Sequence, residues 1–197
     1  MRKLIFFIGP AAAGKTTLAK AFAKKHRTAL LDMDTLLRPA AETIMTLSGH
    51  DPNDRDSPVY KQHCRDLGYR ITMDAALENL DLHLDAYVVG PFTKEINDPQ
   101  WLENELAKIG ASLNDVDIKA VFVYLPDDQH YHQRITLRGS LLDVWKLENW
   151  DSFSPSLKRH EIKWKLPRHS ILYFDNSGPL SESKLSIIEQ FLNGKLQ

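Results

Sequence analysis

A short segment near the start of the chain combines glycine, lysine and threonine at a spacing that suits phosphate chemistry. Gly9-Pro-Ala-Ala-Ala-Gly14-Lys15-Thr16 fits the pattern G-x-x-x-x-G-K-[ST] at every fixed position. The glycines let the backbone curl so that consecutive N–H groups point inward around a phosphate. Lys15 would reach the β- and γ-phosphates, the Thr16 hydroxyl would bind Mg²⁺, and the helix that begins at the lysine adds its positive dipole end. We expect this phosphate-binding loop to hold a nucleotide through Gly9, Ala11, Ala12, Ala13, Gly14, Lys15, Thr16 and Thr17.

Two carboxylates follow the next apolar run, in the segment Leu30-Leu-Asp32-Met-Asp34. At the carboxyl end of a parallel strand they would face the ligand crevice, and alternation along an extended segment would send both to one side. One could hold Mg²⁺, and the other could accept the proton of an attacking hydroxyl. We assign Asp34 as the base and Asp32 to the metal. In the alternative, Asp34 is only the N-cap of a helix from Thr35, and Asp32 is a solvated turn residue.

Short apolar runs alternate along the chain with stretches of helical periodicity. This alternation is typical of a parallel sheet buried on both faces by helices. The sequence therefore predicts a single three-layer α/β domain over residues 1–197. Its expected parallel strands are Leu4–Ile8, Ala29–Leu31, Tyr87–Val89, Ile118–Leu125 and Ser170–Phe174.

Periodicity, capping residues and prolines predict the helices. Leu18, Phe22 and Ala23 share one face of the helix after the phosphate-binding loop. The spacing over Leu36–Leu47 predicts a second helix, in whose first turn Pro39 must sit. The remaining predicted helices are Ser57–Gly68, Tyr69–Leu84, Trp101–Ile109 after the Asp98-Pro99 cap signal, and a last one from about Ser181 with Leu185, Ile188, Phe191 and Leu192 on its apolar face.

The composition is that of an ordinary globular domain. Hydrophobic residues make up 43% and charged residues 26% of the 197 positions, which excludes a disordered tail, a collagen and a small disulfide scaffold. The formal net charge of −1 provides no global field for a long polyanion. The single cysteine, Cys64, and the lack of a long apolar run indicate a reducing, cytoplasmic location without a membrane helix. The first residues also mimic a signal peptide, but the motif that follows Leu4–Ile8 favours a buried strand.

The ends of the later apolar runs narrow the class of nucleotide-binding protein. A GTPase would carry an Asn-Lys-x-Asp guanine clamp, and the sequence has none. A motor ATPase usually has a strand ending in Asp-Glu, whereas two of these runs end in Val89-Gly-Pro and Leu125-Pro-Asp-Asp. A phosphotransferase, or a nucleotide-binding module without chemistry, remains.

With its early phosphate-binding loop, its Asp-x-Asp pair and a later arginine-bearing segment, the chain resembles the small P-loop kinases. This group includes gluconate kinase, chloramphenicol phosphotransferase, zeta toxins and the polynucleotide 5′-hydroxyl kinase domain. The resemblance implies a fold like that of the nucleoside monophosphate kinases, ATP and Mg²⁺, and a general base at Asp32 or Asp34. It also implies that a basic residue one turn later, here Arg38, helps to place the acceptor.

A helical lid is expected at about residues 131–150. Arg134 and Arg138 lie four residues apart on one helix face, and kinase lids present such arginines to the migrating phosphoryl group. Gly139 would end this helix and permit closure. The lid lacks the dense arginine run of nucleotide kinases, and Arg159 and Arg168 are weaker candidates. In the resembling kinases, the loop corresponding to Asp175–Gly178 lies beside the adenine ring, although here it also reads as a plain turn.

The acceptor-covering region is expected at about residues 38–85, with Thr93 and Lys94 touching the substrate at the end of the third strand. Four aromatic residues, Phe92, Trp145, Trp150 and Trp164, could stack on a ring but are more typical of core packing. His130 and His132 are expected at the surface. The favoured hypothesis is an ATP-dependent kinase for a hydroxyl of a small molecule, as a monomer or homodimer. The alternatives are a polynucleotide 5′-hydroxyl kinase, which the lack of a basic stripe disfavours, and a non-catalytic nucleotide-binding module.

Overall fold

The computed structural model describes residues 1–195. They contain a five-stranded parallel sheet in the order β2-β3-β1-β4-β5. The strands are β1 Arg2–Ile8, β2 Ala29–Asp32, β3 Ala86–Val89, β4 Val116–Tyr124 and β5 Ile171–Asp175. The helices are α1 Lys15–His26, α2 Met33–Leu47, α3 Pro58–His63, α4 Arg65–Asp81, α5 Trp101–Ala107, α6 Asp128–Arg138, α7 Val144–Glu148, α8 Trp150–Phe153 and α9 Glu182–Leu192. The predicted three-layer α/β architecture is confirmed.

The middle strand β1 explains the apolar start of the chain. Leu4, Phe6 and Ile8 pack on one face of the sheet with residues of α4 and α5. Ile5 and Phe7 pack on the other face with α1 and α9. All five side chains are fully buried, so the strand needs an unbroken apolar run rather than an alternating one. β1 is hydrogen-bonded to β3 on one side and to β4 on the other, and this pairing fixes the point at which the following loop begins.

The junction between β2 and α2 differs from the prediction. The helix begins at Met33, and Pro39 lies inside it rather than in its first turn. Asp32 is the N-cap, because its carboxylate accepts a hydrogen bond of 3.0 Å from the backbone N–H of Asp34. The predicted extended segment through Asp34 is therefore wrong, and so is the alternative in which Asp34 caps a helix from Thr35. The cap satisfies one unpaired N–H of the first turn, whereas the internal proline removes only one backbone hydrogen bond.

Gly68 does not end a helix, contrary to the prediction. The break lies at Cys64, and α4 runs from Arg65 through Gly68 to Asp81. A Cβ atom at Gly68 would lie 2.8 Å from Leu37 Cδ2 and 3.2 Å from Met33 Cγ, so the lack of a side chain at Gly68 lets α2 and α4 approach closely. Spacing along the sequence cannot separate this use of glycine from a helix stop.

The remaining helices agree more closely with the prediction. The Ser181 hydroxyl caps α9, whose Ile188, Phe191 and Leu192 are buried. The fifth helix is shorter than predicted and ends at Ala107, before Gly110 with its φ of 65°. Within the described residues, no helix combines the length and the hydropathy that crossing a membrane requires.

Candidate active site

The carboxyl ends of the strands place the predicted site residues along one edge of the sheet. The phosphate-binding loop follows β1, and its backbone has positive φ at Gly9 (129°), Ala12 (59°) and Gly14 (97°). A Cβ atom at Gly9 would lie 2.1 Å from the backbone oxygen of Val123, and one at Gly14 would lie 2.4 Å from Asn176 Nδ2. Both glycines are therefore required by sterics as well as by conformation. The left-handed conformation at Ala12 belongs to the same curl of the loop.

One carbonyl of the phosphate-binding loop is held from outside by two side chains. The Ala13 oxygen accepts hydrogen bonds from Asn176 Nδ2 at 2.8 Å and from Arg134 Nη1 at 3.1 Å. The other terminal nitrogen of Arg134 donates to the carbonyls of Asn176 and of Gly178, the latter at 3.3 Å. Arg134 thus ties the loop to the turn after β5. Within the loop, the Ala13 N–H donates at 3.4 Å to the Pro10 oxygen, so the curl of the loop is held from inside as well as from outside.

Lys15 is partly buried and folds back over the loop. Its Nζ donates a hydrogen bond of 2.7 Å to the Pro10 oxygen. Burial lowers the pKa of Lys15 from 10.5 to about 8; the Asp34 and Asp32 carboxylates oppose this fall, and Arg138 adds to it. The ammonium group is thus an under-compensated cation. Phosphate oxygens would supply the charge that it lacks.

Replacing Lys15 with methionine is expected to stabilise the free protein at neutral pH. Because the folded pKa lies below the unfolded one, protonated Lys15 opposes folding fully below about pH 8, and the penalty disappears above about pH 10.5. We expect Lys15→Met to raise the free energy of unfolding by about 1–3 kcal/mol at pH 7, and this advantage to fall by about half at pH 9.5. Urea unfolding of both proteins at the two pH values measures this difference. An advantage that does not change with pH would contradict the burial of this charge.

Thr16 and Asp32 meet, as the metal assignment requires. The Thr16 hydroxyl donates a hydrogen bond of 2.9 Å to Asp32 Oδ2, and Asp32 is buried. Two hard oxygen donors beside a phosphate-binding loop fit Mg²⁺, which is usually bound by one or two carboxylates together with substrate phosphates. The residues therefore fit ATP·Mg²⁺, with Thr16 at the metal and Asp32 beside it.

Asp34 is exposed and lies in the first turn of α2, two residues after the Asp32 that bonds to Thr16. Its charge acts on Lys15 and also on Tyr60 of α3. Burial raises the pKa of Tyr60 to about 12, with Arg55 opposing the rise and Asp34 adding to it. The Asp34 carboxylate is thus close enough for its charge to act on both the phosphate-binding loop and α3. Arg38, one turn later, is exposed.

A polar cluster lies at the end of β3, and only Thr93 and Lys94 of it were predicted from the sequence. Arg65, at the start of α4, donates a hydrogen bond to the Thr93 hydroxyl. Lys94 is exposed and pairs with Asp66 at 3.0 Å. Burial raises the pKa of Glu95, and Arg65 opposes this. Only the tertiary structure brings Arg65, on a helix, to Thr93, because nothing in the local sequence separates it from a surface arginine.

The lid arginines have different surroundings. Arg138 is the last residue of α6, and its guanidinium binds the buried carboxylate of Asp143, with Nε donating at 2.7 Å. Arg138 also acts on Lys15, whereas Arg134 is engaged with backbone carbonyls. Arg159 lies over the rings of Tyr124 and Tyr173, and Arg168 precedes β5 at the opposite edge of the sheet.

The aromatic and histidine residues mostly occupy structural positions. Phe92 and Trp164 are buried in the core, and Trp150 packs edge-on against His132. Trp145 is 42% exposed. The His130 side chain is 44% exposed and bonds to Asp127 at the start of α6. Asn176 contacts the phosphate-binding loop, which its sequence does not indicate, since the segment around it has the composition of an ordinary turn.

Comparisons with known proteins connect this geometry to a fold family. No family model matches the chain, and neither does any curated protein. A candidate kinase from Chloroflexus aurantiacus J-10-fl is similar in structure, with a TM-score of 0.69 and 18% identity over 100% of this chain and 99% of that one. A sugar kinase from Janibacter sp. HTCC2649 has a TM-score of 0.62 and 15% identity over 98% and 95% of the two chains. A gluconokinase from Sinorhizobium meliloti 1021 has a TM-score of 0.55 and 14% identity over 98% of this chain and 91% of that one. The chain has the fold of the small P-loop kinases.

Proposed function

We propose that this protein is an ATP-dependent phosphotransferase that moves the γ-phosphoryl group to a hydroxyl of a small molecule. The observation that carries the proposal is the position of Asp34. Its exposed carboxylate lies in the first turn of α2, two residues after the Asp32 that accepts a hydrogen bond from Thr16, and its charge acts on both Lys15 and Tyr60. A module that only binds a nucleotide has no need of a second, exposed carboxylate beside the one that bonds to Thr16.

The residues divide the work of an in-line transfer. The loop N–H groups and Lys15 bind the phosphates, and Thr16 with Asp32 holds Mg²⁺, which neutralises phosphate charge when bound. Asp34 accepts the proton of the acceptor hydroxyl. At the same time, the oxygen of that hydroxyl bonds to the γ-phosphorus, and the bond between the γ-phosphorus and the β–γ bridging oxygen breaks. Arg138 stabilises the charge that develops on the transferring group. Arg134 and Asn176 hold the loop in shape.

A small acceptor is favoured over a nucleic acid. The covering segment consists of α2, α3 and the start of α4, which pack on one another around a small core of Leu37, Met45, Tyr60 and Cys64. The loop before α3 carries Asp51, Asp54 and Asp56 against a single arginine, which repels a polyanionic backbone. Two proteins of similar fold are named as a sugar kinase and a gluconokinase, in agreement with this acceptor size. Arg65 and Thr93 are the proposed acceptor contacts, with Arg38 and Lys94 at the rim.

Incubation with a small-molecule extract tests the proposal. The protein and its Lys15→Met variant are each mixed with the extract and ATP·Mg²⁺, and products are identified by mass spectrometry. We expect a metabolite that gains one phosphoryl group only with the wild-type protein; a parallel reaction with GTP·Mg²⁺ compares the donors. Transfer to a single-stranded oligonucleotide instead would support a polynucleotide kinase. Tight ATP binding without any product would support the non-catalytic module.

A further inference from the structure

A chain of ionic contacts, mostly between buried side chains, starts at the lid arginine Arg138. The role inferred for it rests on the proposed function of the phosphate-binding site. Arg138 is 48% exposed in its side chain, but its partner Asp143 is only 1% exposed. Nε of Arg138 donates to Asp143 Oδ2 at 2.7 Å, and a terminal guanidinium nitrogen contacts the same oxygen. A guanidinium bound through two nitrogens cannot rotate freely. Asp143 therefore sets the direction in which Arg138 points.

The same carboxylate binds a second cation on its other oxygen. Lys146 Nζ lies 3.1 Å from Asp143 Oδ1 and donates at 2.8 Å to the Leu142 carbonyl. It also lies 3.5 Å from Asp56 Oδ2, in the loop before α3. The side chains of Lys146 and Asp56 are only 12% and 15% exposed, so solvent screens their pair weakly. The two carboxylates and two cations balance in charge, as a buried network requires.

The ionic chain joins two segments that are far apart in the sequence. Arg138, Asp143 and Lys146 belong to the lid, and Asp56 belongs to the segment that covers the acceptor side. A second contact lies beside it, because Lys61 Nζ is 5.9 Å from the centre of the Trp145 ring. At the other end of the ionic chain, Arg138 lies one turn after Arg134 on α6, and Arg134 contacts the phosphate-binding loop through its hydrogen bond of 3.1 Å to the Ala13 carbonyl.

We propose that Asp143 is a positioning residue that holds Arg138 toward the outer phosphates of ATP, and that Lys146 couples this arginine to the acceptor-covering segment through Asp56. The ionic chain then transmits a displacement of the acceptor-covering segment to Arg138. Loss of Asp143 should therefore weaken contacts with the outer phosphates, and leave those with the adenosine half of the nucleotide unchanged.

Nucleotide selectivity provides the test, because it does not depend on knowing the acceptor. Isothermal titration of ATP, ADP and AMP, each with Mg²⁺, is carried out on the wild-type protein and on Asp143→Asn, Lys146→Met, Lys146→Arg and Asp56→Asn. The matched control is Lys165→Met, which removes an exposed salt bridge with Glu103 that lies outside the ionic chain. We expect Asp143→Asn to lower the affinity for ATP about tenfold, with AMP unchanged. Lys146→Met and Asp56→Asn should show a loss of about threefold for ATP, and Lys146→Arg should retain wild-type selectivity.

A double-mutant cycle separates positioning from general destabilisation. If Asp143 acts through Arg138, then Asp143→Asn in an Arg138→Ala background should cause no further loss of ATP affinity. Equal losses for ATP and AMP, or additive effects in the cycle, would overturn the positioning role. Wild-type selectivity in both Lys146→Met and Asp56→Asn would overturn the coupling.

Thermal unfolding of each variant guards against loss of the fold. Should Asp143→Asn fail to fold, the milder Lys146→Met and Asp56→Asn proteins decide the matter by the same ATP-to-AMP ratio. A wild-type protein that binds no ATP contradicts the proposed function itself. A wild-type protein that binds ATP with variants that match it contradicts only this inference.

Discussion

Phosphoryl transfer should fall by a factor of roughly 10³ when Lys15 is replaced by methionine, a loss of about 4 kcal/mol of transition-state stabilisation. Lys15 is held in the phosphate-binding loop by its bond to Pro10, and its depressed pKa marks a cation with too little compensation. The γ-phosphoryl oxygens would supply that compensation most strongly as charge shifts in the transition state. Initial rates with the acceptor identified by mass spectrometry, at saturating ATP·Mg²⁺, measure the loss.

The matched control is Lys20→Met, which removes an exposed lysine from the same helix. It should transfer at the wild-type rate. The free Lys15→Met protein should also be more stable than wild type at neutral pH, so loss of activity cannot be attributed to unfolding. Transfer within threefold of wild type in Lys15→Met would refute the assignment of this residue to the phosphates.

The second large effect is expected at Asp34. Asp34→Asn keeps the size and polarity of the side chain but cannot accept the proton of the acceptor hydroxyl. We expect kcat to fall by roughly 10²–10⁴-fold while the affinity for ATP·Mg²⁺ changes little. Asp32 is the instructive contrast, because its two oxygens cap α2 and accept from Thr16. Asp32→Asn should therefore weaken ATP·Mg²⁺ binding before it affects proton transfer.

Glu42→Gln serves as the control for Asp34, since it neutralises another carboxylate on α2, two turns further along the helix. Turnover and ATP titrations on the three variants and the wild type separate the two roles. Wild-type kcat in Asp34→Asn would remove the base assignment, and the same loss in Asp32→Asn with unchanged ATP affinity would transfer it to Asp32.

The local sequence was enough to predict the structure wherever contacts among neighbouring residues determine it. The motif from Gly9 to Thr16 requires its own loop conformation, and β1 could be predicted because a strand buried on both faces is apolar throughout. The alternation of strands and helices then left few topologies for a parallel sheet. The predicted proximity of Thr16 and Asp32 also follows, because Thr16 comes after β1 and Asp32 ends β2, and these two strands end at the same carboxyl edge of the sheet with only β3 between them.

Prediction failed where one residue type serves two purposes. Gly68 was expected to stop a helix, but it allows α2 and α4 to approach closely. Asp32 and Asp34 were expected on an extended segment, but the Asp32 carboxylate starts a helix at Met33. The energies of a cap and of a turn residue differ by about 1 kcal/mol, so packing decides between them.

The sequence by itself determined the phosphate-binding loop, the order of the elements and the side chains available for chemistry, because these depend on bonds and periodicities within a few residues. Only the tertiary structure decided what those side chains do. It placed Arg134 on the carbonyl of Ala13 and Arg138 on the buried Asp143. It also brought Asn176 to the loop and Lys146 to Asp56. Such pairs form between segments distant in the chain, where burial and charge balance, rather than spacing, select the partner.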